Sequence, residues 1–309
     1  MLSRLVLGHA VLRAPLIARA LPSARAPLIA RALASAAPSR TALIKELRAR
    51  TAAPMKKCVE ALDKASGDIE EAIAELRKIG LATAQKKASR GANEGAVSVF
   101  DGECALAIVE VNSETDFVAR NDTFQGLAAS IARTALSSGV DMSGGAGPFE
   151  LDVATLGAAT LDGDAAPISE ALGVAVGQLG ENLVLRRACV LAAPPTGGVV
   201  CSYVHNTYSP GVGRTAAAVS LGSAAADTAA LRDLGHKIAM HIVAASPLYL
   251  SRESVPAGAL ESEVAILREQ ALGEGKPEKI VDKMVEVRPT HARAHTVAAS
   301  HTAAQSSRS

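Results

Sequence analysis

Apolar positions in this chain follow first a helical period and then a strand period. From residue 41 to residue 80 the spacing is helical. Leu43, Ile44 and Leu47 mark a first short helix, and Met55, Cys58, Val59 and Leu62 follow the i, i+3, i+4, i+7 pattern of a second. Pro54 suits a first-turn position, where its missing N–H costs nothing. Gly67 closes the second helix. Asp68, with Glu71 three residues on, has the form of a capping box. Ile69, Ala72, Ile73 and Leu76 then form the stripe of a third helix, which Gly80 is expected to end. The polar stretch 85–95 reads as a linker.

Beyond it the period shortens. Residues 96–100 and 104–111 read as two strands around Asp101-Gly102, a hairpin signal. Phe124, Leu127, Ile131 and Ala135 set one face of a helix over 121–137. Gly139, Gly144, Gly145 and Gly147 mark a flexible connection over 138–150. Ile168, Leu172, Val176 and Leu179 predict a helix after Pro167. Strands are expected over 182–191, 199–205 and 215–221, the last two separated by a Pro-Gly-Val-Gly loop at 210–213. Leu231, Leu234, Ile238 and Ile242 set the inward face of a helix over 227–244. Two helical stretches, 256–272 and 277–287, close the ordered chain as a helical hairpin. Helices and strands come in runs rather than strict alternation, so the fold class is α+β.

Composition narrows the picture. Hydrophobic residues make up 49% of the chain but aromatics only 2%, with no Trp, so the cores are built from Ala, Val, Leu and Ile. No apolar run reaches the roughly 18–20 residues of a membrane helix, which reads as a soluble protein without membrane association. Residues 1–40 carry six Arg and no acidic residue, and the string RAPLIARAL occurs at 13–21 and again at 25–33. An Arg-rich, acid-poor leader of this kind is expected to be an organelle transit peptide. Arginine dominance favours the mitochondrion over the plastid. A tandem repeat without function, or a disordered arm, is the plainer alternative.

Between residues 41 and 288 lie 24 basic and all 31 acidic residues, a net charge of −7. That balance counts against direct nucleic-acid binding, which normally shows a basic face. Cys58, Cys104, Cys189 and Cys201 have no metal-type spacing and read as reduced, mostly buried thiols. There is no Walker loop, no HExxH and no GxSxG. His291, His295 and His301 lie in an Ala/Ser/Thr-rich stretch, and 289–309 reads as a solvated, disordered tail rather than a ligand set. No cofactor and no catalytic centre are expected.

Three segments together carry a specific likeness. They are residues 47–80, with Arg50-Thr51, Ala61-Leu62 and Gly67-Asp68-Ile69-Glu70; residues 109–119, reading VEVNSETDFVA; and residues 275–285, reading GKPEKIVDKMV. LGENLVLRRA at 179–188 and IAMHIVAAS at 238–246 add to it. Over 41–288 the chain resembles elongation factor Ts, and with its leader it resembles the organellar, mitochondrial form. The resemblance implies a ubiquitin-associated-like three-helix module at 41–84 that docks on a GTPase. It further implies a linker at 85–95, an α+β core of the family's dimerisation type at 96–255 and a helical, coiled-coil arm at 256–288.

The implied partner is elongation factor Tu, GDP-bound and nucleotide-free. The implied activity is guanine-nucleotide exchange, without bond-making chemistry. In the family, the stretch matching Thr115, Asp116, Phe117 and Val118 wedges into the partner's nucleotide-binding domain, and the position of His241 assists. Without the resemblance, Phe117 reads as a core residue, Asp116 as a helix-cap or loop residue and His241 as a helix histidine at the border of the core. After Arg288 the sequence departs from the family's second arm, further core strand and C-terminal module. The alternative reading is therefore a protein-binding adaptor of the same family without exchange activity.

Overall fold

The computed structural model describes residues 38–274 apart from 144, 196, 224–227, 248 and 250–253. The expected leader, apart from its last residues, the second half of the helical hairpin and the histidine tail lie outside the described residues.

Helices α1 (Arg40–Thr51), α2 (Met55–Lys64) and α3 (Ile69–Lys87) form the N-terminal module. Leu47, Cys58, Ala61, Leu62 and Ala72 close on one another as its core. Its ion pairs, Arg40–Asp63 and Arg50–Glu70 among them, lie in solvent and add little. The Asp68 carboxylate accepts the Glu71 N–H at 2.9 Å and so starts α3 as the sequence predicts. Met55, expected on the inward stripe, is instead exposed at the first residue of α2.

Gly80 does not end α3. The helix runs through it to Lys87, and only residues 88–93 separate it from the first strand. Gly80 is there for contact rather than termination. It is buried against α7 (Ile168–Leu179), and a Cβ added at Gly177 would lie 2.6 Å from the Gly80 Cα. Two glycines facing each other let the helix backbones touch.

The six strands are β1 (Glu94–Asp101), β2 (Ala105–Ser113), β3 (Phe149–Leu151), β4 (Val184–Ala192), β5 (Gly198–Ser209) and β6 (Val212–Gly222). They pair antiparallel in the order β3-β4-β2-β1-β6-β5. β1 and β2 form the hairpin predicted around Asp101-Gly102, in register from Glu94↔Ser113 to Asp101↔Leu106. Cys104, at its tip, is exposed, whereas Cys58, Cys189 and Cys201 are buried.

β5 and β6 are longer than expected. Ser209 pairs with Val212, so only Pro210 and Gly211 form the turn, and Gly211 takes a φ of 75° as the second central residue of a Pro-Gly turn. Periodicity could not show this, because the glycines at 211 and 213 interrupt the apolar pattern while the backbone pairing continues.

β6 meets β1 at Val97↔Gly213 and Ser98↔Val212 only. Past that point the β5–β6 hairpin lies back across one face of the sheet. Val200, Ala216 and Ala218 pack there on Val97, Leu106, Ile108 and Leu191, and Ser220 Oγ donates to the Ala192 carbonyl at 2.7 Å. The opposite face carries Val109, Val111 and Val190 beneath Phe124 and Ile131 of α5 (Asp122–Ser137) and Val176 of α7.

β2 is thus buried along its whole length, because both of its faces are covered. Helix α8 (Thr228–Ala245) closes the outer side of the hairpin through Ala239 and Ile242. Leu234, expected to point inward, is 50% exposed; Gly235 beside it is the residue that meets the hairpin, against Cys201. Strand β3 begins within the connection predicted over 138–150, helix α6 (Val153–Ala158) lies beyond it where no element was predicted, and α9 (Ala257–Gly273) matches the first half of the expected helical hairpin. The antiparallel sheet with helices on its faces is an α+β fold.

Candidate functional site

The sequence TDFV occupies a corner. β2 ends at Ser113, whose hydroxyl donates to the Thr115 carbonyl at 2.8 Å and turns the chain. Thr115 stays extended, with φ −129° and ψ 158°, and a single helical turn, α4 (Asp116–Ala119), follows. Successive residues of such a turn point about 100° apart. Val118 is 8% exposed and Ala119 fully buried, both within the core beneath α5. Fixing those two inward turns Asp116 and Phe117 outward.

Phe117 is 81% exposed, the largest figure among the exposed large apolar side chains described. Burying a Phe side chain is worth about 1.5–3 kcal/mol. Leaving one in water at the tip of an anchored turn forgoes that gain.

The turn is held at both ends. At its start the Glu181 carboxylate accepts two bonds from Thr115, the backbone N–H at 2.9 Å and the hydroxyl at 2.7 Å. Next to it the relation reverses: Glu114 accepts the Asn182 backbone N–H at 2.7 Å. Asn182 Nδ2 donates to the Arg90 carbonyl at 2.8 Å, and the Arg90 guanidinium lies 3.6 Å from Glu114. The Asn182 N–H, with Arg90 beside it, holds the Glu114 carboxyl below the usual carboxylate range. At the end of the turn Arg120 sits 5.4 Å above the Tyr208 ring and 3.6 Å from the Asp116 carboxylate.

Thr115, Asp116, Phe117 and Val118 therefore come together in one turn, with different placements. Phe117 is the exposed tip. Asp116 is half-exposed beside it, Thr115 is the tethered start, and Val118 is the buried anchor. His241 is exposed on α8. It belongs to another layer, since α8 packs on β5 and β6 whereas α4 packs on β1, β2 and α5. Glu114, Glu181, Arg120 and Tyr208 were not singled out by sequence reasoning. The two glutamates lie within the quoted segments, but nothing local signals that stretches 66 and 68 residues apart exchange bonds.

A groove of about 380 Å³ lies between the N-terminal module and α5–α7, floored by Ile73, Leu76 and Ala175. Its cations are already engaged. Arg50 pairs with Glu70, Arg77 with Glu170, and Lys57 donates to the Gly177 carbonyl. Among the described residues no three His, Cys, Asp or Glu side chains are grouped to hold a metal ion, and no helix is long and apolar enough to cross a membrane.

Comparison with known proteins bears on the whole body of the chain. The family model described as Elongation factor TS matches residues 114–294, beginning at the first glutamate of this corner. Elongation factor Ts of Rhodospirillum rubrum is 44% identical over 247 residues, covering 80% of this chain and 76% of the relative. The Caulobacter vibrioides protein of the same name is 45% identical over 252 residues, again 80% of this chain and 76% of the relative. Elongation factor Ts of Paramagnetospirillum magneticum is 44% identical over 246 residues, 80% and 74%. Identity of this order over four-fifths of the chain, with the corner and the antiparallel core inside the matched span, places this protein in the elongation factor Ts family.

Proposed function

We propose that the chain is a guanine-nucleotide exchange factor that speeds GDP release from elongation factor Tu during translation elongation. The observation that carries the reading is Phe117, an apolar side chain 81% exposed on a turn anchored by Val118 and Ala119, in a chain of this family. Phe117 enters the partner's nucleotide-binding domain, with Thr115, Asp116 and Val118 forming or supporting the wedge and His241 adding a second contact. Displacing the elements that hold magnesium and phosphate weakens GDP, because the metal neutralises phosphate charge.

The thermodynamics is linkage. A factor that binds the nucleotide-free GTPase more tightly than the GDP form lowers GDP affinity by the same ratio. No bond in a substrate is made or broken, so the protein acts without being an enzyme in the usual sense.

The test uses elongation factor Tu loaded with fluorescent GDP and chased with unlabelled nucleotide. Adding the full chain is expected to raise the release rate in proportion to its concentration until saturation. Binding without acceleration would leave a protein-binding adaptor instead, and neither binding nor acceleration would sink both readings.

The organellar assignment rests on residues 1–40 and their six arginines. In our reading this segment directs the protein to the mitochondrion. A fluorescent protein fused behind residues 1–40 is expected to accumulate in mitochondria. Plastid accumulation would move the assignment to that organelle, and diffuse fluorescence would remove it.

A further inference from the structure

The LGEN stretch at 179–182 has no part in the wedge as described, yet it makes the closest polar contacts to it. Glu181 receives both hydrogens that Thr115 can give, and Glu114 receives the N–H of Asn182 in return. Each of two short segments thus supplies a carboxylate to the backbone of the other. Hydrogen bonds to an ionised acceptor are shorter and roughly twice as strong as neutral ones.

The pair lies where an unsupported corner has most freedom. It joins the end of β2 to the turn between α7 and β4, and Gly180 takes a left-handed φ of 81° in that turn. Lys87 donates to the Gly180 carbonyl, the Arg90 carbonyl accepts from Asn182 Nδ2, and the Arg90 guanidinium pairs with Glu114 at 3.6 Å. Three segments meet here: the end of α3, the turn after α7 and the start of α4.

We infer that Glu181 is a positioning residue for the exchange tip: by tethering the N–H and hydroxyl of Thr115 it fixes the direction in which Phe117 projects before the partner arrives. The inference rests on the exchange reading above and adds a residue to it. Phe117 is 81% exposed, so little packing at its own end aims it. Its direction is set by what holds the backbone. Val118 and Ala119 fix the depth of the turn and Arg120 over Tyr208 fixes its far end. Glu181 fixes the near end, one residue before the tip begins. Ordering the tip in the free protein removes an entropic cost that would otherwise fall on association.

The experiment is a double-mutant cycle on GDP release from elongation factor Tu, with the full chain carrying Glu181→Gln, Phe117→Ala or both. Glutamine keeps the shape but has one oxygen where the carboxylate has two. It therefore loses the charge and one of the two acceptors, and its amide group faces a donor. Glu181→Gln alone is expected to slow exchange on the order of tenfold, less than the roughly hundredfold that a full misplacement of about 1 Å can cost, because Val118 and Ala119 still anchor the turn. In the Phe117→Ala background the same change is expected to add nothing, because no tip remains to be aimed.

Melting temperatures of all four proteins separate this from loss of fold. A Glu181→Gln protein with an unchanged exchange rate overturns the inference. So does equal slowing in both backgrounds, which is what a purely structural role gives. The Phe117→Ala arm reports separately on the wedge: if it exchanges as fast as the unaltered chain, the wedge reading fails, and the positioning role with it.

Discussion

Phe117→Ala is expected to weaken binding to nucleotide-free elongation factor Tu by roughly 30-fold or more, and to slow GDP release accordingly, while the melting temperature stays where it was. The two halves of this expectation have different physical sources. Phe117 is 81% exposed, so truncating it opens no cavity, and surface substitutions of this kind stay within about 0.5 kcal/mol. The cost falls on the complex. Central aromatic anchors lose about 2 kcal/mol or more on truncation, and each 1.4 kcal/mol is a factor of ten. Isothermal calorimetry and a thermal melt on the same preparation check both halves. Unchanged affinity would remove Phe117 from the contact, and a large drop in melting temperature would mean that it is packed in solution.

Gly177→Leu is expected to break the seam between α3 and α7. A Cβ at Gly177 already falls 2.6 Å from the Gly80 Cα, and a Cβ at Gly80 falls 3.1 Å from the Gly173 carbonyl oxygen. These neighbours are backbone and cannot rotate away. Overpacking of this sort costs about 1–3 kcal/mol, occasionally more. Helix propensity acts in the opposite direction, since replacing a glycine inside a helix by a better helix former gains close to 1 kcal/mol. A measured loss of stability therefore isolates the contact.

The seam also carries Gln178 Nε2 donating to the Thr51 carbonyl and Lys57 donating to the Gly177 carbonyl, each at 2.6 Å. These bonds go with it. The expected readout is faster protease cleavage between residues 87 and 94, together with a lower urea midpoint. Cleavage and midpoint identical to the unaltered chain would show that the helices move apart at no cost.

Much of this architecture was legible because the apolar spacing is strong where elements are amphipathic. Asp68, Gly67 and the Asp101-Gly102 hairpin carry local chemistry that acts as the sequence suggests. The misreadings share a cause. A glycine near the end of an apolar stripe looks the same whether it caps a helix or meets another helix, and Gly80 does the second. Gly211 and Gly213 look like a loop although only Gly211 turns. Leu234 fits the inward stripe of α8 by spacing, but Gly235 takes the contact and rotates it out.

At the corner, spacing alone makes Phe117 a core residue, because most phenylalanines are buried. Only the neighbours decide otherwise, since Val118 and Ala119 take the inward side. The tether from Glu181 was not legible at all, because it depends on bringing together segments that the chain separates by helices α4 to α7 and strand β3.

The hairpin tip has a practical consequence. Cys104 is the exposed thiol, while burial raises the pKa of Cys58 and Cys201 and encloses Cys189. A maleimide dye should therefore react at one place without any cysteine being removed. The labelled tip and Thr115 lie at opposite ends of β2, whose nine residues span roughly 30 Å at about 3.3 Å each. That is a useful range for energy transfer. A donor on Cys104 and an acceptor on the nucleotide of elongation factor Tu would test the proposed approach and departure of the Phe117 corner in real time, from a site joined to it by a single buried strand.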